Sequence, residues 1–115
     1  MNACSVSRLS DHELLRGLAD LAAKDRATTV ALLAHLAEVE RRKLFRPAGH
    51  PSMFAYCVGE LRFSEDVAFK RIRVARAARR FPAILPALAK GRVTLSGVVM
   101  LAPYLTQNAV GELLK

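Results

Sequence analysis

Six basic side chains fall within eleven consecutive residues, Lys70, Arg71, Arg73, Arg76, Arg79 and Arg80, and no carboxylate follows Asp66 in that stretch. Guanidinium and ammonium groups at this density do electrostatic chemistry: they neutralise phosphates. At 100° per residue, Lys70, Arg73, Arg76 and Arg80 share one side of a helix, over about three turns or roughly 15 Å. Arg71 and Arg79 project toward the apolar arc formed by Val67, Ala68, Ile72, Val74, Ala75 and Ala78. Those two are expected to pair with a carboxylate such as Glu60 or Glu38, or to snorkel to the surface.

The basic side matches a helix lying in or across a major groove. Glu65 and Asp66 occupy its N-terminal turn, where base-reading residues usually sit, and would repel phosphates. The pattern therefore favours backbone contact over base reading, and weak sequence specificity. Arg41, Arg42, Lys43, Arg46, Lys90 and Arg92 extend the patch if their turns lie nearby.

The charge distribution supports a polyanionic partner. Among 115 residues the net charge is +8. Residues 1–40 carry four basic and six acidic side chains (−2), residues 41–92 thirteen and three (+10), and residues 93–115 one of each. Duplex DNA is the expected partner.

Other chemistry finds little footing. His12, His35 and His50 lack a second His or Cys at metal-ligand spacing, so each is expected to be satisfied locally or to face solvent. Cys57 shares a helix with Phe54 and Leu61 and is expected to be a small core residue. Cys4 and Cys57 form no CxxC pair, and two reduced thiols suit a cytoplasmic protein. No GxGxxG, Walker A, GxSxG or HExxH motif occurs, no carboxylates pair for acid–base work, and no catalytic, metal or cofactor site is expected. Tyr56, Phe63 and Phe69 flank the basic helix and are expected to be core contacts rather than stacking platforms. The N-terminus lacks a signal-peptide core, and no apolar run reaches the roughly 20 residues a membrane span needs.

The elements that position the basic helix read as all-α. Hydrophobic residues make up 52 % of the chain, with Ala and Leu prominent and aromatics at 6 %, a composition of strong helix formers. The expectation is one domain, a bundle of about five to seven helices after a flexible N-terminus over residues 1–9. Ser10 and Glu13 have capping-box spacing. Residues 10–43 are expected to form an antiparallel helical hairpin broken at Lys24-Asp25, with one bent helix as the alternative. Pro47, Gly49 and Pro51 break the chain. Ser52 caps a third helix, Arg62-Phe63 turns, and Ser64 caps the basic helix, giving a helix-turn-helix-like pair near residues 52–81. Pro82 ends it, a short helix follows over residues 83–89, and Gly91 turns the chain. Thr94 or Ser96 starts a helix to about Leu101, and Thr106 caps a last one over residues 107–114. Residues 112–115, Glu-Leu-Leu-Lys, remain helix-forming, so further chain or a truncated form is expected.

From Leu9 onward the string resembles the helical region that precedes the HNH nuclease domain in many bacterial HNH endonuclease-like proteins. The resemblance rests on Phe54, Tyr56 and Cys57, on Ser64 before an Ala/Arg-rich helix, and on Arg79-Arg80-Phe81-Pro82. It continues through Gly91-Arg92-Val93-Thr94-Leu95-Ser96 and Leu101-Ala102-Pro103-Tyr104-Leu105-Thr106. It implies a nuclease of the ββα-metal type C-terminal to this region, which needs a His base and metal ligands. These 115 residues stop before such a segment, so no catalytic position transfers and the chain alone is not expected to be an enzyme. What the resemblance implies for it is an accessory role, in DNA contact or assembly. The competing class is a helical interaction or oligomerisation module, with Leu14, Leu18, Leu21, Leu32 and Leu36 offering an apolar face and a homodimer formed through residues 10–43.

Overall fold

The computed structural model describes residues 3–106. After a 3₁₀ turn at Ala3–Arg8 come five α-helices: α1 (Asp11–Arg41), α2 (Met53–Gly59), α3 (Glu65–Arg80), α4 (Ile84–Ala89) and α5 (Leu95–Leu101). A second 3₁₀ turn, Ala102–Tyr104, follows α5. The fold is all-α, with no strand among the described residues. The helix expected over residues 107–114, with its Thr106 cap, lies outside the described residues.

Local chemistry sets the boundaries. The side-chain oxygens of Ser10, Ser52, Ser64 and Thr94 accept from the backbone N–H groups of Glu13, Ala55, Val67 and Gly97, each satisfying a donor the first turn leaves free. The Ser10 hydroxyl also donates to the Glu13 carboxylate at 2.9 Å. At the other ends, Lys43 and Arg62 take left-handed conformations (φ 56° and 62°), and Gly91 turns the α4–α5 link at φ 74°.

The expected hairpin over residues 10–43 is instead one 31-residue helix. Lys24-Asp25 brings neither Gly nor Pro, and Asp within a helix costs only some tenths of a kcal/mol against Ala. Nothing there forces the backbone out of helical dihedrals, so the run continues through it.

The core lies around α3, which packs on α1, α2 and α5. Leu33 of α1, Cys57 of α2, Val74 of α3, Ile84 of α4 and Val98 of α5 are its largest fully buried side chains. Ala68, Ala75 and Ala78 keep the inner face of α3 small, which lets neighbouring helices approach closely. Only the second half of α1 joins this core. Residues 11–28 are exposed, with Gly17 half-buried among them.

Candidate nucleic-acid interface

The inner arc of α3 is apolar and buried, so the outer arc must carry its cations. Arg73, Arg76, Arg79 and Arg80 are all exposed, and Lys70 is half-buried. Arg73, Arg76 and Arg80 line one open depression of about 330 Å³, floored by Ala77, Phe81, Ala102 and Pro103. Arg76, Arg79 and Arg80 border an adjoining one. The 3₁₀ turn after α5 thus forms one wall of an arginine-lined trough.

The arginines differ in what holds them. Arg76 bridges to α1: its Nε donates to both Glu40 carboxylate oxygens at 3.0 and 3.1 Å, and its Nη2 donates to Oε2 at 2.7 Å. Those hydrogen bonds push the Arg76 pKa above its ordinary value. Arg73 lies over the Phe69 ring at 5.3 Å and Arg80 over Phe81 at 5.1 Å. Lys70 makes a loose, exposed pair with Asp66 at 3.5 Å. Arg73, Arg79 and Arg80 form no ion pair among the described residues. Arg79 and Arg80 also occupy the last turn, where the helix dipole favours cations by some tenths of a kcal/mol.

Several expectations shift. Arg71 is half-buried and lies 4.8 Å over the Phe63 ring, which agrees with a packing role. Arg79 does not pair with Glu38. That carboxylate is taken by Arg41 and Arg42, both at 2.6 Å, because three- and four-residue spacing on one helix brings them together. Their hydrogen bonds lower the Glu38 pKa to about 2. Glu60 meets His50 rather than Arg71 or Arg79, with Nε2 and Oε1 3.3 Å apart. Phe69 is half exposed rather than buried, because it falls on the outer arc four residues before Arg73. Phe63 and Tyr56 pack against the core as expected.

The outlying basic residues divide. Arg41 lines a depression together with Arg79 and Ala78, so it borders the α3 cluster. Arg46 lies 6.0 Å over Phe45, in the turn that follows α1. Lys90 and Arg92 flank Gly91, whose Cα faces the Arg26 side chain of α1. Arg26 and Glu40 are about 20 Å apart along that helix, which separates Lys90 and Arg92 from the trough.

The histidines and the cysteine are settled locally. His12 is exposed, His35 Nδ1 lies 2.7 Å from the Ala31 carbonyl oxygen, and His50 stands edge-on to Tyr56. Cys57 is buried, and burial, followed by the nearby Glu40 charge, raises its thiol pKa. Among the described residues no group of three or more His, Cys, Asp or Glu side chains could hold a metal ion, and no helix is long and apolar enough to cross a membrane. No family of known proteins, no curated protein and no solved structure matches the chain.

The Arg76–Glu40 bridge left no sign in the sequence, because its partners are separated by 36 positions. The Arg73–Phe69 stack did leave one, in its four-residue spacing.

Proposed function

We propose that the arginine face of α3 binds the phosphate backbone of duplex DNA, with little preference among sequences. One observation carries this reading: Arg73, Arg79 and Arg80 crowd eight residues of one helix, exposed and unmatched by any carboxylate among the described residues. Nearby, Arg41 and Arg42 share the Glu38 carboxylate and Arg76 is matched by Glu40. A concentrated, unneutralised cation cluster gains from releasing the counterions condensed on DNA. The acidic first turn, Glu65 and Asp66, disfavours entry of the helix N-terminus into a groove and leaves the C-terminal half to grip the backbone. The motif resemblance is consistent with this: such a region would hold DNA for a nuclease domain of the HNH type.

The test is fluorescence anisotropy with two unrelated short duplexes across a salt series. Three to four phosphate contacts predict that affinity falls about 40- to 150-fold between 50 and 200 mM salt. The informative variant is Arg73→Glu with Arg80→Glu, because reversing Arg76 would also break the bridge to α1. It should weaken binding equally on both duplexes. Absent binding at low salt, or binding indifferent to the double change, refutes the proposal.

A further inference from the structure

We infer that α1 is the seam of an antiparallel homodimer, with the projecting half of one copy lying in an apolar groove of the other. This goes beyond the DNA reading and stands apart from it.

Residues 11–28 expose four leucines: Leu14 at 43 %, Leu15 at 66 %, Leu18 at 63 % and Leu21 at 63 %. Helical stability in proteins comes mostly from packing an apolar face, and the exposed leucines of this half of α1 lack such packing within the monomer. Five turns further on, at the same azimuth on α1, come Leu32, Leu36 and Val39. These line an open apolar groove of about 410 Å³, walled by Tyr56 and Leu61. One stripe therefore runs the length of α1, bare in the first half and grooved in the second.

A second copy can align on α1 because the positions Leu14, Leu18, Leu21, Asp25, Thr28, Leu32, His35 and Val39 have the same spacing read in either direction, with His35, which also lines the groove, in place of Leu36. Laid antiparallel, Leu14 meets Val39, Leu18 meets His35, Leu21 meets Leu32 and Asp25 meets Thr28. All four pairs share a midpoint between Arg26 and Ala27, where the two-fold axis falls. Asp25 and Thr28 form a polar layer there, and a polar layer can fix register. In this register Asp11 falls on Arg42 of the second copy while Glu13 falls on Glu40, which is held by Arg76 of its own copy, and opposed helix dipoles favour the antiparallel alignment. An overlap about 46 Å long and roughly 10 Å wide covers on the order of 1,000 Å² over both copies, at the lower limit for a stable interface. An interface of this size is expected to be weak and concentration-dependent.

Sedimentation velocity on the full chain, from about 1 µM to about 200 µM, should show a monomer passing to a dimer. Leu18→Glu should weaken the dimer by at least about tenfold, since two buried leucines become charges. Leu18 is exposed in the monomer, so the urea midpoint at about 1 µM should match that of the wild type. Mixing Leu18→Glu with His35→Lys should restore a dimer, because antiparallel packing sets the new carboxylate against the new ammonium. A wild-type monomer at the highest concentration overturns the inference, whether residues 107–115 or another protein then covers the leucines. A dimer indifferent to Leu18→Glu overturns it too, and a mixture no tighter than Leu18→Glu alone overturns the antiparallel register.

Discussion

Removing Arg76 should loosen α1 from α3, whereas removing its neighbours on the same face should not. The Arg76 side chain is 61 % exposed but its partner Glu40 only 20 %, so the cost depends on which partner is deleted. Exposed pairs contribute up to about 1 kcal/mol, and breaking a buried pair costs roughly 3–5 kcal/mol. A bidentate pair with one half-buried member falls between them. Arg76→Ala strands the carboxylate and should cost about 2 kcal/mol. Glu40→Ala strands a guanidinium that water can reach, and should cost about 1 kcal/mol. In a domain of this size, about 2 kcal/mol lowers the melting temperature by roughly 8–16 °C. Arg73→Ala removes only an exposed stack on Phe69 and should cost less than about 1 kcal/mol. Urea denaturation of both single variants and the double variant gives the coupling energy, expected near 1 kcal/mol. A coupling under about 0.3 kcal/mol, or an Arg76→Ala no more harmful than Arg73→Ala, refutes the reasoning.

Two further outcomes follow from local geometry. A Cβ at Gly59 would come within 2.8 Å of His50 Cε1, so Gly59→Ala should bring none of the roughly 1 kcal/mol that Ala usually adds to a helix. In a His50→Ala background the gain should appear, and a full gain in the wild-type background would contradict the contact. Glu38 is held at a pKa of about 2, first by hydrogen bonds from Arg41 and Arg42. Since the folded value is depressed, its contribution is present above the ordinary value of 4.5 and is lost as pH falls through about 2. Carboxyl NMR should show that titration, and Glu38→Gln should be less stable than the wild type near neutrality but equal to it at the acid end. Titration near the ordinary carboxylate value would be the contrary result.

What the sequence revealed was mostly local. Ser10, Ser52, Ser64 and Thr94 announce helix starts because a cap and its N–H lie three residues apart. Pro82 and Gly91 announce stops because their dihedral preferences are intrinsic. The hairpin expected over residues 10–43 failed for a related reason: an interruption in apolar pattern is not an interruption in backbone preference, and Lys24-Asp25 supplies only the first. The amphipathic division of α3 was legible from its period. Which arginine is tied down was not. Arg76 looked free and Arg79 tethered, yet Glu40 holds Arg76 across the α1–α3 contact, while Glu38 is taken by its own helix neighbours. Pairing between distant segments depends on how helices cross, and side-chain azimuth on one helix carries no record of that crossing.

The exposed leucines of α1 show the same limit. Leu14, Leu18 and Leu21 read as an apolar face, and whether the fold itself covers that face is decided by where α1 sits. It leaves them bare.

The central claim, that Arg73, Arg79 and Arg80 act together as a phosphate grip, is tested most directly by the salt dependence of duplex binding in the wild type and the Arg73→Glu/Arg80→Glu variant. The wild type should give a slope of log affinity against log salt of about −3, and the variant should lose roughly two units of that slope on any sequence. Equal slopes for both proteins, or binding that ignores salt, would contradict the account.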